Sequence, residues 1–302
     1  MVLGHLNAMP GSFHGLGNRL RAAAFACLPQ HAVSRLAFRL TRIPGRWKDP
    51  LVRAFIRRFG VDMSEAAQPD LAAYRSFNAF FVRALRPDAR PLAAGAATLA
   101  CPVDGRVSQI GAVAADRILQ AKGIDYSLTT LLGGDPADAA RFEGGGFATL
   151  YLAPGDYHRI HMPLAGRLTH MVHVPGRLYS VAPWTVATVR GLFARNERVS
   201  AFFETDYGPM ALVLVGAINV AAIETVWAGL VTPPRGRRIA RRQYDAEAVQ
   251  LERGAEMGRF NMGSTVIVLA PPGSAWDGLQ PGERVRMGMR LGAAAASPKS
   301  GR

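Results

Sequence analysis

Three short stretches of the sequence carry side chains that together could perform covalent chemistry. Asp104 supplies a carboxylate within Pro-Val-Asp-Gly, His158 and His161 supply two imidazoles within Tyr-His-Arg-Ile-His-Met-Pro, and Ser264 supplies a hydroxyl directly after Gly263. A nucleophile, a general base and a carboxylate that orients the base are the groups of a Ser–His–Asp triad. The sequence therefore predicts that these stretches meet around the Gly263–Ser264 peptide bond and change it covalently.

Each stretch also has an ordinary structural interpretation when it is taken alone. Aspartate before glycine is typical of a turn, and a Gly-Ser pair before the apolar run 266–269 is typical of the start of a strand. Ser264 lacks the G-x-S-x-G sequence of the α/β-hydrolases. His158 and His161 lie in a polar turn bracketed by prolines, without further ligands at the spacing of a zinc site. We therefore predict no metal centre.

The composition is that of a globular protein. The 302 residues are 49% hydrophobic and 19% charged, which is enough for one large domain or two of ordinary size. The two cysteines are too few for a disulfide framework. The sequence contains neither an apolar run of eighteen residues nor the pattern of a secretory signal, so we expect neither a transmembrane helix nor a cleaved leader.

A basic amphipathic segment leads the chain. Apolar residues recur every three or four positions from Val33 to Ile43, and a second amphipathic piece follows from Pro50 to Phe59. Residues 19–58 carry a net charge of +9 out of the total +14. Basic amphipathic helices are typical of proteins that bind anionic lipid or nucleic acid. Because no nucleic-acid motif is present, we predict a lipid surface and no nucleic-acid partner. The alternative is that the segment merely covers the protein's own core.

The rest of the chain predicts a β-rich core. Short apolar runs alternate with glycine, proline and aspartate between residues 100 and 291, which favours antiparallel strands over βαβ units. We predict an aromatic-rich helix over 74–83 and a solvated basic loop over 235–242. The fold class is therefore α+β, with N-terminal amphipathic helices followed by a largely antiparallel β core. The predicted strands are 107–110, 147–152, 168–174, 211–220, 222–226 and 265–269.

Seven stretches of the sequence, spread from residue 77 to residue 265, resemble the bacterial, membrane-associated phosphatidylserine decarboxylases. The family's cleavage motif usually reads Leu-Gly-Ser-Thr, and here Met262 takes the place of the leucine, a change that keeps volume and polarity. The matching stretches are FNAFFVR at 77–83, PVDG at 102–105, ILQAKG at 118–123, DYHRIHMP at 156–163, LFARNER at 192–198, IETVWAG at 223–229 and MGRFNMGST at 257–265.

The resemblance implies that the chain cleaves itself. The Ser264 hydroxyl would attack the Gly263 carbonyl with His161 as general base and Asp104 orienting that imidazole. β-Elimination of the resulting ester would then leave a covalently bound pyruvoyl group derived from Ser264. On this interpretation residues 1–60 form a membrane-associating helical segment, 61–263 the catalytic core of the β chain, and 264–302 the α chain. The two fragments would remain together as a heterodimer, and two heterodimers as a homodimer.

The resemblance also implies the reaction and its location. The pyruvoyl ketone would condense with the amine of phosphatidylserine and accept the electron pair left when CO₂ departs. His158 would position the carboxylate and protonate the carbanion, giving phosphatidylethanolamine. The protein would be peripheral on the cytoplasmic side of the cell membrane. The sequence contains only three lysines, which favours a built-in carbonyl over pyridoxal chemistry, because a pyridoxal enzyme requires a lysine.

Two other functions remain open at this point. The first is an uncleaved serine hydrolase that uses Ser264, His161 and Asp104 on an external acyl substrate. The second is a non-enzymatic basic protein that binds membranes. Chain integrity distinguishes the first alternative from self-cleavage, and the effect of Ser264→Ala on function distinguishes the second.

Overall fold

The computed structural model describes residues 29–218, 222–233, 236, 238–245, 249–261 and 264–295. Residues 1–28 and Gly263 therefore lie outside the described residues. Within the described ranges, no helix has both the length and the apolar character needed to cross a bilayer. The helices are α1 (Gln30–Leu40), α2 (Lys48–Phe59), a 3₁₀ turn (Leu71–Ala73), α3 (Phe77–Phe81), α4 (Leu128–Leu132), α5 (Pro136–Ala140), α6 (Pro183–Val186) and α7 (Leu192–Arg195).

The strands account for most of the regular structure after residue 98, which confirms the α+β class. In chain order they are β1 (Thr98–Ala100), β2 (Gly105–Ala112), β3 (Arg117–Ala121), β4 (Ile124–Ser127), β5 (Gly146–Tyr151), β6 (Arg159–His161), β7 (Gly166–Val174), β8 (Arg198–Thr205), β9 (Gly208–Val215), β10 (Ile223–Thr225), β11 (Gly229–Leu230), β12 (Ala240–Gln243), β13 (Gln250–Leu251), β14 (Glu256–Phe260), β15 (Thr265–Ala270), β16 (Ala275–Trp276), β17 (Arg284–Val285) and β18 (Arg290–Ala293).

The largest sheet has nine antiparallel strands, with β15 at its centre. Its order is β12-β7-β8-β9-β15-β5-β2-β17, and β13 also pairs with β7. All six residues of β15 are buried, because the strand is hydrogen-bonded to β9 on one side and to β5 on the other. Its apolar, β-branched run suits such a position. A second sheet, β11-β10-β14-β6, carries the histidine stretch on its edge strand.

The basic stretch over 235–242 was predicted to be a solvated loop, and part of that prediction is wrong. Its last residues form β12, which pairs with β7 in antiparallel register. The physical reason is that the edge of β7 offers main-chain donors and acceptors that another strand can satisfy. The side chains of β12 remain exposed, as expected for a basic stretch. Residues 234, 235 and 237 lie outside the described residues.

The helix α2 packs against α3 in a small aromatic cluster of its own. Phe55 meets the rings of Phe77, Phe80 and Phe81 edge-on at centroid distances of 5.4–6.0 Å. The aromatic-rich helix predicted over 74–83 is confirmed, although α3 is shorter than predicted. It begins where the Ser76 hydroxyl accepts a hydrogen bond from a first-turn amide, the usual N-cap arrangement.

The helix α1 turns its apolar face outwards. Val33, Leu36 and Leu40 are 39%, 57% and 48% exposed, whereas Gln30 and Ser34 are buried. Gln30 accepts a hydrogen bond from the Leu178 amide at 2.8 Å, which fixes the polar side of the helix on the core. The amphipathic helix is therefore confirmed. The alternative in which the segment covers the protein's own core does not hold for this face of α1, but it does hold for Val52 and Phe55 of α2.

Candidate active site

A turn between β5 and β6, residues 152–158, holds the elements of the candidate site together. We call it the site turn. It has little regular structure, so its main-chain groups are free to bind elsewhere. The Leu152 amide donates to the Ser264 carbonyl at 2.9 Å, Gly155 O accepts from Arg83 Nη2 at 3.2 Å, and His158 O accepts from the Phe260 amide at 3.0 Å. Within the turn, Pro154 O accepts from His158 Nε2 at 3.3 Å.

Ser264 immediately precedes the central strand β15. The next residue, Thr265, is in register with Tyr151 of β5 and Val215 of β9, so the position of Ser264 is fixed from both sides. Ser264 is fully buried, and its hydroxyl has no hydrogen-bond partner among the described residues. A buried hydroxyl without a partner is unfavourable by about 1–3 kcal/mol. This cost is expected where a hydroxyl is kept for chemistry.

His158 is a fully buried and neutral imidazole. Its ring stacks on Phe81 at a centroid distance of 4.2 Å. Burial lowers the pKa of His158 to about 3, because the charged form loses its hydration. The Pro154 carbonyl can only accept, so the proton lies on Nε2. Nδ1 is buried and finds no partner in the part of the chain that the structure describes.

His161 has both ring nitrogens engaged. Nδ1 donates to the Gly254 carbonyl at 2.7 Å, and the Tyr157 hydroxyl donates to Nε2 at 2.9 Å. Burial lowers the pKa of His161, so the ring is neutral at physiological pH. The Gly254 contact fixes the tautomer with an unprotonated Nε2, which is the form that a general base requires.

Asp104 does not contact the His161 ring as the sequence predicted. Arg90 holds its carboxylate from two nitrogens, at 2.9 Å from Nε and 2.6 Å from Nη2, and the Met287 amide donates to it at 2.8 Å. The planar guanidinium matches the two carboxylate oxygens. The orienting contact on His161 comes instead from Gly254. The two stretches still meet, since the His161 amide donates to the Pro102 carbonyl at 2.9 Å.

The structure therefore brings the predicted residues to one place without joining them as a hydrogen-bonded triad. The site turn contacts Ser264 and contains His158, while His161 follows on β6. Within the described ranges no hydrogen bond links Ser264 Oγ to His161. The same ranges contain no group of three or more His, Cys, Asp or Glu side chains that could hold a metal ion.

Two cavities lie beside the site turn, one apolar and one polar. The apolar cavity measures about 270 Å³, and Phe59 and Pro154 line it. The polar cavity measures about 180 Å³, and Gly60 and Gly155 line it. A Cβ on Gly155 would lie 2.8 Å from the Phe59 carbonyl oxygen, so glycine permits this close approach of α2 to the turn. Further apolar lining comes from Phe55, Phe81, Leu152 and Val181.

Reasoning from residue types missed several polar side chains at the site. Asn78 of α3 donates to the Asn261 side chain at 3.0 Å, and the Asn261 amide donates to the Ala222 carbonyl at 2.8 Å. These bonds hold the chain three residues before Ser264. Arg83 and Tyr157 were also given no role of their own. In the sequence, these residues were marked only by their positions within two of the stretches that resemble the family. Such a position does not by itself assign a chemical role to a residue.

Comparison with known proteins agrees with the motifs. A sequence model described as phosphatidylserine decarboxylase matches residues 77–293, and a shorter one described as PSD matches residues 20–60. The chain is 56% identical to the phosphatidylserine decarboxylase proenzyme of Alkalilimnicola ehrlichii over 254 residues, which are 83% of this chain and 88% of the relative. It is 56% identical to that of Bordetella pertussis over 278 residues (90% and 92%). It is 55% identical to that of Pseudomonas putida over 274 residues (89% and 95%).

The chain matches this family over most of its length. The matched part contains the large antiparallel sheet, the buried serine before its central strand, and the two histidines of the site turn and β6. The chain belongs to the phosphatidylserine decarboxylase family. The resemblance inferred from the motifs is confirmed.

Proposed function

We propose that this protein converts phosphatidylserine to phosphatidylethanolamine and CO₂ after cutting its own chain between Gly263 and Ser264. The observation that carries the proposal is the fully buried Ser264 hydroxyl, which has no partner among the described residues and lies beside the turn that contains His158. Family membership supplies the reaction class, and the relatives are named proenzymes, a term for precursors activated by processing.

Cleavage requires a base for the serine proton. His161 Nε2 is unprotonated and serves once the Tyr157 hydroxyl has moved away from it. The Ser264 oxygen then attacks the Gly263 carbonyl, the carbon–nitrogen bond breaks, and an ester replaces the amide. Burial has the largest effect on the pKa of His161 and lowers it, while the hydrogen bond to Gly254 and the charge of Glu256 raise it. Asp104 adds a smaller raising effect through its charge and makes no direct hydrogen bond to the ring. Elimination of the ester releases the Gly263 carboxylate and leaves an unsaturated residue 264 at the new N-terminus. Its imine tautomer takes up water and loses ammonia, which leaves the pyruvoyl ketone.

The surroundings of Ser264 fit a pyruvoyl group formed from that residue, with a keto oxygen in place of its amino nitrogen and a methyl group in place of its side chain. The position is fully buried, and Leu152, which binds its main chain, also lines the apolar cavity. In place, such a group supplies an electrophilic carbonyl that takes up the electron pair released with CO₂. His158 is the residue proposed to return a proton to the substrate carbon. A substrate carboxylate beside the ring would raise its pKa from the low value that burial sets.

The helices α1 and α2 are proposed to lie on an anionic membrane, on its cytoplasmic side. Their exposed apolar residues, including Leu36, Leu40 and Leu51, and the exposed Trp47 just before α2, accompany several arginines. Each basic side chain near an anionic surface contributes about 1 kcal/mol. Phe55 and Phe59 of α2 line the apolar cavity, so the same helix would guide the lipid towards the site. The two fragments would stay together, because β15 pairs with β5 and β9, and the resemblance implies a homodimer of this unit.

Replacement of Ser264 tests the proposal. Ser264→Ala is expected to remain one chain on a denaturing gel and to release no CO₂ from carboxyl-labelled phosphatidylserine. Ser274→Ala, which removes another hydroxyl that is buried without a described partner, is the matched control and should cleave and react normally. Labelled CO₂ from Ser264→Ala would refute the proposal. An intact wild-type chain that hydrolyses esters would support the serine hydrolase instead.

A further inference from the structure

Arg83 is a buried arginine whose guanidinium is largely unsatisfied. It follows α3 and is only 5% exposed. Among the described residues, the guanidinium donates from Nη2 to the Gly155 carbonyl at 3.2 Å, and its Nε and Nη1 have no hydrogen-bond partner. A guanidinium has five N–H donors, and a buried charge without a close counter-ion is strongly unfavourable. Arg83 Cζ lies 5.5 Å from the centroid of the Phe80 ring, a cation–π contact that does not supply the missing hydrogen-bond acceptors.

The polar cavity beside the site turn contains other charges, and these have hydrogen-bond or ion-pair partners. Arg90 binds both Glu65 and Asp104, at 2.7 and 2.6 Å. Asp156 accepts a hydrogen bond from the Ala153 amide at 2.7 Å. Arg83 lines the same cavity, and it takes part in none of the ion pairs found within the described ranges. It is therefore the cation of this cavity that is left to bind an incoming anion.

Two contacts place Arg83 close to the candidate catalytic histidine. Arg83 donates to the Gly155 carbonyl, and His158 donates to the carbonyl of Pro154, the residue before Gly155 in the site turn. Phe81, two residues before Arg83, stacks on the His158 ring. The positive charge of Arg83 also contributes, after the larger effect of burial, to the lowered pKa of His158. A ligand bound by Arg83 would thus lie beside the imidazole.

We propose that Arg83 binds an oxyanion of the phospholipid headgroup, a carboxylate or a phosphate, at the polar cavity beside His158. The proposal rests on the proposed function for the identity of the lipid. Both groups present oxygens that a guanidinium fork can bind through two parallel hydrogen bonds. The cavity would then hold the polar headgroup, and the neighbouring apolar cavity would hold the adjoining part of the lipid.

The test uses the full-length Ser264→Ala chain, so binding is measured independently of cleavage and decarboxylation. Glycerophosphoserine, glycerophosphoethanolamine and inorganic phosphate are titrated into it by calorimetry. Arg83→Met is expected to weaken binding about tenfold to hundredfold, the effect of losing hydrogen bonds to a charged group. Equal losses for the first two probes assign the phosphate, and a loss confined to glycerophosphoserine assigns the carboxylate.

A matched arginine and a stability measurement separate binding from folding. Arg286→Met removes an exposed guanidinium from the same cavity and should change binding less than twofold, within the range of weak surface pairs. Arg83→Met should keep or raise the melting temperature, because an apolar residue replaces an unpaired buried charge. Unchanged binding in Arg83→Met, an equal loss in Arg286→Met, a lowered melting temperature, or no binding of any probe to the parent chain would each overturn the proposal.

Discussion

The hydrogen bond between Asn78 and Asn261 gives a sharp test of how the chain around residue 264 is held. Both residues are buried, and their side chains are joined at 3.0 Å. Asn78→Ala would leave the Asn261 side-chain oxygen buried without this donor. The cost of such an unsatisfied group is about 1–3 kcal/mol. We expect the free energy of unfolding to fall by that amount.

The same substitution should also slow self-cleavage. The main-chain amide of Asn261 donates to the Ala222 carbonyl, and Asn261 is two residues before Gly263 in the sequence, where the proposed scissile bond begins. A displacement of about 1 Å at a reacting group can lower a rate on the order of a hundredfold. We expect cleavage of Asn78→Ala to be slower by about tenfold to hundredfold.

Two assays and one control separate the two effects. Urea unfolding is measured in the Ser264→Ala background, where every molecule stays uncut, and cleavage is followed on denaturing gels after cell-free synthesis. Thr98→Ala is the control, because the Thr98 hydroxyl, at the start of β1, donates a partly buried hydrogen bond to the Ala94 carbonyl at 2.6 Å. Parent-like cleavage in Asn78→Ala, or equal slowing in Thr98→Ala, would refute the reasoning.

Two further predictions follow from burial and exposure. Because the pKa of His158 is about 3 in the folded chain and higher when unfolded, the unfolded chain binds the extra proton between these values, and stability must fall as pH falls. In the Ser264→Ala background, the free energy of unfolding in urea is measured at pH 6 and at pH 5. Its decrease between these two values should be smaller by about 1 kcal/mol when His158→Phe is added. The same decrease with and without His158→Phe would contradict the prediction. Leu36→Ser should weaken binding to anionic vesicles in sedimentation assays, whereas Leu230→Ser, at another exposed leucine outside α1, should not. Equal effects of the two substitutions would contradict membrane docking by α1.

Hydrophobic pattern predicted most of the fold because burial follows it directly. The run at 265–269 became the central strand β15, and the periodic apolar residues after Val33 became α1. The spacing of apolar residues in α1 did not predict which of its faces is exposed, since a helix can turn either face to the core. The strand β8 was missed because it starts with Arg198, which burial rules place at the surface. In the structure its guanidinium is buried and donates to main-chain carbonyls.

The members of the site could be predicted from the sequence, and their contacts could not. Residue types and motifs pointed to Ser264, His161 and Asp104, all of which lie near one turn or are tied to it. Many of their hydrogen-bond partners are main-chain groups, such as the carbonyl of Gly254. Every residue has a main-chain carbonyl, so the sequence does not single out the one that binds. Sequence therefore assigned Asp104 to His161, whereas the structure pairs Asp104 with Arg90.

The central claim is that the peptide bond before Ser264 breaks and leaves a carbonyl at the new N-terminus. Denaturing mass spectrometry of the purified protein, combined with N-terminal sequencing of the small fragment, tests it most directly. The account predicts a fragment ending at Gly263 and a 39-residue fragment whose N-terminus is blocked and reacts with a carbonyl reagent. A single chain of 32.4 kDa, or a fragment beginning with an ordinary serine, would contradict it.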